Sequence, residues 1–275
     1  ADALPAVART VPPALRLTAR WLPIAALWLG FLAFSYVVYM DGAPQRYDFK
    51  SYYEGVQRLL DDTEPLYIGI NGHVYMYPPL MAQILAPLVA TFSYETVSVV
   101  WFAASALSLL AATWLLARYV SPQRAWIVWL LPVLFTPVFK SLYIGQVTVI
   151  LLFLLTAAWS AHRADRRALA GGLLALAAWI KVFPAFLLVY FLLRRDWRVV
   201  RGALAAGLGL LAVQVIISGP GTMIDFIETL LRLTREGQPA GNFKNSAING
   251  FVSRLFETND LVIPVLVNDT LYTLS

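Results

Sequence analysis

The sequence predicts an all-α, polytopic integral membrane protein with about seven transmembrane helices. Hydrophobic residues make up 59% of the 275 residues and charged residues only 13%, with a mean hydropathy of +0.67, whereas soluble domains carry about 25% charged residues. The apolar runs are continuous and do not alternate with period two, which favours helices over barrel strands. Arginines cluster at the ends of these runs, as the positive-inside rule expects. The net charge of +5 therefore does not require a nucleic-acid partner.

The apolar runs define the expected membrane spans. Two choices place all three later arginine clusters on the cytoplasmic side, namely RYVSPQR (118–124), HRADRR (162–167) and RRDWRVVR (194–201). Segment 78–92 stays in the outer leaflet, and segment 168–193 breaks at KVFP (181–184), because proline disrupts a helix interior. A competing topology lets 78–92 cross and keeps 168–193 as one helix. The favoured topology has spans at 21–40, 96–117, 125–139, 147–161, 168–181, 183–193 and 202–218.

The expected organisation is a single transmembrane domain over residues 1–275. Arginines before the first span, 21–40, place the N-terminus in the cytoplasm and make 41–95 an external loop with amphipathic helices. The first run is longer than a signal-peptide core and has no small-x-small cleavage site, so we expect a retained anchor. The remaining spans lie in 96–218, and 219–256 forms a second large external loop. Within it, residues 219–246 predict a turn at GPG, an amphipathic helix and a Gly/Asn-rich loop, with an apolar face formed by Ile224, Ile227, Leu230 and Leu231. Further C-terminal helices are expected beyond this sequence.

Asp48 lies directly after the first span, in RYDFKSYYEG (46–55). Neighbouring rings would exclude water, and burial raises the pKa of a carboxyl group toward that of a useful base. The stretch DFKSYYEGVQRLL also predicts an amphipathic helix with an acid near its start, where an acid is favoured. Catalysis and helix capping therefore both remain open for Asp48. The rings concerned are those of Tyr47, Phe49, Tyr52 and Tyr53.

Four lysines stand out in a chain whose other basic residues are arginines, and all four fall on the predicted external side. Lys181 has apolar residues on both sides in AAWIKVFPAF. An ionisable group inside a membrane segment predicts a function, with snorkelling of the side chain as the alternative. An ammonium group there needs an anion, and a ligand phosphate fits. The other lysines are Lys50, Lys140 and Lys244.

Three further segments carry polar groups that could contact a phosphate or a sugar. Lys140 and Gln146 lie in FKSLYIGQV, and Lys244 precedes Asn245 in GNFKNS. His73 lies in NGHVYMYPPL, where it could orient a sugar hydroxyl. The external side offers no second histidine for a metal pair. The absence of cysteine excludes disulfides, thiolate metal ligands and a cysteine nucleophile.

The order of these motifs resembles the GT-C superfamily, specifically the polyprenol-phosphate-mannose-dependent α-mannosyltransferases of glycosyltransferase family 87. A more distant similarity is to the GPI mannosyltransferase. The resemblance covers about residues 30–255. It rests on an acid after the first span, YMYPPL (75–80), GQV (145–147), IKVFP (180–184) and NFKNS (242–246).

This resemblance implies a GT-C type helical bundle in a bacterial plasma membrane, with the active site on the external, periplasmic side. The implied reaction transfers a hexose, expected to be mannose, from a polyprenyl-phosphate sugar to a lipid or glycan acceptor with inversion. Asp48 would be the base. Lys181, Lys140 and Lys244 would bind the donor phosphate. Sugar or acceptor contacts are expected from Tyr52, His73, Tyr77, Gln146 and Asn245. No metal site and no cofactor are expected, with a divalent cation left open.

Three alternatives remain at this stage. A GT-C enzyme using another lipid-linked sugar would show the same motifs. A transporter or flippase for a lipid-linked saccharide would also need cations in a membrane groove, but it predicts inverted repeats and a site at the membrane midplane. No repeat is evident, and the acids lie outside the apolar runs. A non-catalytic scaffold would not require a lysine inside an apolar segment.

Overall fold

The protein is described from a computed structural model over residues 13–42, 47–61, 66–67, 75–236, 251 and 254–256. Every regular element in those ranges is helical, which confirms the all-α prediction. A short 3₁₀ turn, Phe183–Ala185, joins α8 to α9. The helices are α1 (Pro13–Asp41), α2 (Tyr47–Asp61), α3 (Pro79–Thr91), α4 (Tyr94–Ala117), α5 (Ala125–Leu134), α6 (Thr136–Tyr143), α7 (Thr148–Arg163), α8 (Arg167–Ile180), α9 (Phe186–Leu193) and α10 (Trp197–Glu236).

Within the described residues, three helical stretches are long and apolar enough to cross a membrane. A fourth span results if α5 and α6, which bend by 55° where they meet, count as one. The membrane assignment is therefore confirmed, but the count of seven spans is not. Helices α3, α7, α8 and α9 are apolar but shorter. Thirteen residues span only about 20 Å of a hydrocarbon core of about 30 Å, so α3 does not cross by itself. The three long stretches are Trp21–Asp41, Tyr94–Ala117 and Trp197–Arg232.

The predicted break at KVFP is confirmed. Helix α8 ends at Ile180, and Lys181 follows in an extended conformation (φ −151°, ψ 129°). The segment predicted as a span over 125–139 is broken, because α5 ends at Leu134 and α6 begins at Thr136. Pro137 explains the difference, since it has no N–H for the carbonyl four residues earlier and its ring would collide with that carbonyl.

Helix α7 lies between α4 and α8. At one end of α7, Val149 packs in a cluster with Tyr39, Phe102 and Leu142 from α1, α4 and α6. Toward the other end, Ala158 packs with side chains of α8 and α10. Sixteen residues make α7 about 24 Å long. The two ends of α7 therefore belong to well-separated regions of the protein.

Helices α8 and α10 approach closely through two glycines. A Cβ at Gly171 would overlap the carbonyl oxygen of Val199, and one at Gly202 would overlap that of Ala168. Small residues at such contacts allow helix packing where lipid provides no hydrophobic driving force. This contact sets the position of the turn that joins α9 to α10.

The chain divides into two compact units, Ala1–Met223 and Ile224–Ser275. Gly219 interrupts α10 with φ 76° and ψ 162°, at the turn expected from GPG, and the helix expected after this turn is confirmed as far as Glu236. In the second unit, the predicted apolar face is about half exposed, as the side chains of Ile224 and Ile227 show. Lys244 and Asn245 lie outside the described residues, as does His73.

Candidate active site

Asp48 is the second residue of α2, and the predicted amphipathic helix is confirmed. One face of α2 is completely buried, including Phe49, Tyr52 and Val56. The ring of Phe49 packs against Trp101 of α4 at 6.0 Å between centroids. Asp48 lies at the margin of this buried face and is only partly exposed. The apolar residues of α2 therefore hold Asp48 at the boundary between protein and solvent.

The turn between α6 and α7 packs directly on α2. The backbone N–H of Phe49 donates to the carbonyl of Ile144 (3.4 Å), and that of Val147 donates to Tyr52 Oη (3.3 Å). Between them, Gly145 has φ +72°, and a Cβ there would lie 2.6 Å from Phe49 Cβ. Only glycine combines this backbone conformation with so close a contact. The GQV motif thus brings its glutamine next to Asp48.

Gln146 holds the carboxylate of Asp48 in place. Its side-chain oxygen accepts a hydrogen bond from Thr148 Oγ1 (3.1 Å), which leaves the NH₂ group to donate to Asp48. The second carboxylate oxygen, Asp48 Oδ2, is buried and has no hydrogen-bond partner among the described residues. An unsatisfied buried polar atom costs about 1–3 kcal/mol or more. A site that tolerates this cost is a candidate for ligand chemistry.

Burial raises the pKa of Asp48 above its ordinary value. The hydrogen bond from Gln146 and the positive charges of Lys181 and Lys140 oppose this shift but do not cancel it. A carboxylate in this environment is a stronger base than an exposed one, since its charged form is poorly solvated. The geometry therefore favours the catalytic interpretation of Asp48, while its place in the first turn of α2 also fits helix stabilisation.

Lys181 and Lys140 supply positive charge near Asp48. Lys181 follows the last residue of α8, and its Nζ lies 5.7 Å from the centre of the Tyr77 ring, within cation–π range. None of the described acids forms an ion pair with it. Lys140 is exposed and lies in the last turn of helix α6. By contrast, Lys50 is exposed and pairs with Glu54 at 3.7 Å.

Buried tyrosines form one wall of the site. Tyr52 Oη donates to Tyr77 Oη (3.1 Å), and their rings meet edge to face at 4.9 Å. Burial raises the pKa of Tyr77 to about 12 and also raises the pKa of Tyr52 well above its ordinary value, so both phenols are neutral at pH 7. Tyr67 Oη donates to the carbonyl of Tyr77 (3.0 Å), and Tyr75 Oη donates to that of Pro78 (3.1 Å). These bonds fix the backbone that carries Tyr77.

Sequence reasoning missed several residues that position the site. Trp101 Nε1 donates to the carbonyl of Gly145 (2.8 Å), and Thr148 orients Gln146 as described. Gln83 Nε2 donates to the carbonyl of Gln214 (3.0 Å) and to Ser218 Oγ (2.7 Å), which fixes α3 on α10. The sequence does contain a signal for such residues: a hydrogen-bonding side chain inside an apolar run indicates a packing contact, because it needs a partner there.

Of the residues predicted for the site, the structure brings Asp48, Gln146, Lys181, Tyr52 and Tyr77 together, and Lys140 influences Asp48 through its charge. Their predicted contacts with phosphate, sugar or acceptor stay predictions. No group of three or more potential metal-ligating side chains occurs in the described parts of the chain. Asp61, which is exposed, is the last residue of α2.

Comparison with known proteins adds the following findings. The model of Glycosyltransferase family 87 matches residues 75–274. A polyprenol-phosphate-mannose-dependent alpha-(1-2)-phosphatidylinositol mannoside mannosyltransferase of Mycobacterium tuberculosis is 29% identical over 211 residues, covering 68% of this chain and 48% of that protein. A polyprenol-phosphate-mannose-dependent alpha-(1-2)-phosphatidylinositol pentamannoside mannosyltransferase of Mycolicibacterium smegmatis is 29% identical over 185 residues, covering 66% and 44%. The matches thus span less than half of each relative. No solved structure matched the chain.

Proposed function

Because the chain belongs to glycosyltransferase family 87, we propose that it is a membrane hexosyltransferase that takes mannose from a polyprenyl-phosphate donor. The names of both relatives state dependence on polyprenol-phosphate-mannose, and both name phosphatidylinositol mannosides as acceptors. A glycolipid is therefore the proposed acceptor class. The reaction is proposed to take place on the external side of the plasma membrane, because the arginine clusters of the sequence assign the opposite end of the helices to the cytoplasm.

Asp48 is the proposed base. Its Oδ2 would accept the proton of an acceptor hydroxyl while the hydroxyl oxygen attacks the anomeric carbon of the sugar. The bond from the anomeric carbon to the phosphate oxygen breaks, and the polyprenyl phosphate leaves with the electron pair. A single displacement of this kind inverts the anomeric configuration and needs no enzyme nucleophile. Since phosphate is a good leaving group, one well-placed base is sufficient.

Lys181 is the proposed contact for the donor phosphate. Its ammonium group stands against the face of Tyr77 and close enough to Asp48 to lower the pKa of that carboxyl group. Fixed cations near a departing phosphate stabilise the charge that develops in the transition state. Lys140 adds charge from α6, and Lys244 is a further proposed phosphate contact. Tyr77, Gln146, Tyr52, His73 and Asn245 remain the proposed sugar or acceptor contacts.

The observation that carries this proposal is the buried Oδ2 of Asp48, which has no hydrogen-bond partner among the described residues. It lies near Lys181, which none of the described acids pairs with. The test is transfer of radiolabelled mannose from polyprenyl-phosphate-mannose to endogenous lipids, in membranes containing the full-length wild-type protein or Asp48→Asn at equal expression. We expect transfer only by the wild type. Asp61→Asn, which neutralises an exposed acid of the same helix, serves as the matched control and should remain active.

Each other outcome of this assay is informative. Transfer by both proteins would keep the enzyme and remove Asp48 as its base. Transfer by neither would contradict mannose as the sugar or the tested lipids as acceptors, and other polyprenyl-phosphate sugars would be assayed next. Loss in Asp61→Asn as well would mean that α2 is sensitive to any charge change, so the Asp48 result would not identify a base.

A further inference from the structure

The arginine-rich end of the helices contains a cavity of about 710 Å³ between the α7–α8 turn and the α9–α10 turn. Its charged lining has five arginines and two aspartates, which leaves a formal charge of +3 with His162 neutral. The arginines are Arg167, Arg194, Arg195, Arg198 and Arg201. This cavity lies at the end of α7 opposite to Asp48, and the proposed sugar transfer makes no use of it.

Both aspartates of the cavity are already paired. Asp196 Oδ2 contacts His162 Nε2 (3.1 Å) and Arg167 (3.3 Å). Asp165 pairs with Arg167 (2.7 Å) and more distantly with Arg198 (3.9 Å). These contacts neutralise both carboxylates of the cavity and link the α7–α8 turn to the α9–α10 turn.

Three arginines of the cavity are not neutralised. Arg194 and Arg195 have no ion-pair partner among the described residues, and Arg201 donates to the backbone carbonyl of Trp197 (3.3 Å). Guanidinium groups bind phosphate through paired N–H donors. A cluster of this kind fits a phosphate-bearing anion.

The surface next to the cavity distinguishes a lipid from a free anion. Helix α9, which ends immediately before Arg194, has no buried residue. Phe186 and Leu193 are 76% and 78% exposed, and Tyr190 and Trp197 flank the arginines. Aromatic rings of this type favour the membrane–water interface. Free phosphate would satisfy only the arginines, whereas a lipid would also cover the apolar helix.

We propose that the cavity binds the phosphate headgroup of an anionic phospholipid, with its acyl chains along α9. Basic pockets between membrane helices are known to suit such headgroups. The proposal does not depend on the sugar-transfer reaction.

The test uses the full-length protein in a neutral detergent, with bound lipid counted by native mass spectrometry. Short-chain phosphatidylglycerol is titrated against phosphatidylcholine with the same chains, and inorganic phosphate is added as a competitor. We expect saturable binding of phosphatidylglycerol, at least tenfold weaker binding of phosphatidylcholine, and no displacement by equimolar phosphate. Arg194→Gln combined with Arg195→Gln should weaken phosphatidylglycerol binding roughly thirtyfold, because each arginine near an anionic headgroup is expected to contribute about fivefold in affinity.

Matched variants make the result decisive. Arg124→Gln combined with Arg163→Gln removes two exposed arginines outside the cavity and should leave the affinity unchanged. Arg201→Gln is a separate cavity variant, expected to weaken phosphatidylglycerol binding about fivefold. It tests the proposal if the Arg194/Arg195 double variant does not fold. Equal binding of phosphatidylcholine, displacement by equimolar phosphate, or an equal loss in the Arg124/Arg163 variant would each overturn the proposal.

Discussion

Asp48 and Asp196 lie near opposite ends of α7, and their surroundings affect their carboxyl groups in opposite ways. Burial raises the pKa of Asp48, one of whose oxygens has no partner in the described structure. Burial would also raise the pKa of Asp196, but the hydrogen bond from His162 and the charge of Arg167 hold it below its ordinary value. The carboxylate of Asp48 thus lacks the close cationic partners that bind Asp196, and Asp196 links the α7–α8 turn to the α9–α10 turn.

The two aspartates differ in proposed role: Asp48 is the proposed base, whereas the contacts of Asp196 stabilise the fold. A raised folded-state pKa means that the charged form of Asp48 costs stability once the pH exceeds its unfolded pKa. A lowered folded-state pKa means that Asp196 contributes stability above its unfolded pKa and that this contribution disappears as the pH falls through its folded pKa. Substitution by asparagine should therefore have opposite effects at the two positions.

The largest expected effect is that of Asp48→Asn on activity. Loss of the proposed general base should lower kcat/KM roughly 10²–10⁴-fold. At pH 7 the free energy of unfolding should be equal to that of the wild type or higher, since a poorly solvated charge is removed. Transfer assays and denaturant titration of the purified protein measure the two quantities. A large loss of stability would show that Asp48 stabilises the fold, as Asp196 is expected to do. The two aspartates would then not differ in role.

Lys181→Gln tests the positive partner at the same end of the protein. If Lys181 contacts the donor phosphate as proposed, removal of its fixed charge should lower kcat/KM roughly 10²-fold. Because the charge of Lys181 lowers the pKa of Asp48, its removal should move the acidic limb of the pH profile of kcat/KM to higher pH. A pH series of transfer rates shows both effects.

Lys50→Gln is the control for Lys181, since Lys50 is exposed and pairs only with a neighbour on α2. Its rate should stay within about twofold of the wild type. If the acidic limb stays at the same pH in Lys181→Gln, the charge of Lys181 does not act on Asp48, whatever the loss in rate.

Gln146→Leu should have a smaller effect, roughly a tenfold loss of kcat/KM, because the carboxylate loses the group that orients it. It should also move the acidic limb to higher pH, since the hydrogen bond from Gln146 lowers the pKa of Asp48. Thr148→Val, which keeps the shape but removes the hydroxyl, should reproduce part of this loss. Gln57→Leu, at an exposed position of α2, is the matched control. An unchanged pH profile in Gln146→Leu would show that Gln146 does not act through Asp48.

The sequence predicts those features of the candidate site that depend on neighbouring residues in the chain. The amphipathic pattern around Asp48 predicts α2, and Pro184 predicts the break beside Lys181. Contact between Gln146 and Asp48 depends on how the turn at Gly145 packs on α2, which no local pattern defines. The pairing of Asp196 with His162 likewise requires the close approach of α8 and α10. Helix lengths were predicted less well, since continuous apolar runs hide breaks such as the one before Pro137.

The smallest expected effect is that of Asp196→Asn, which should lower the free energy of unfolding by about 1–2 kcal/mol at pH 7. A hydrogen-bonded carboxylate is worth this much, and the partial exposure of Arg167 keeps the value modest. Because the pKa of Asp196 lies below its ordinary value of 3.8 in the folded protein, wild type and variant should converge as the pH falls below about 4. Denaturant titrations at pH 7 and near pH 3.5 measure this difference. If the gap persists unchanged at the lower pH, Asp196 stabilises the turns by shape and not by charge, and its contrast with Asp48 would then concern packing alone.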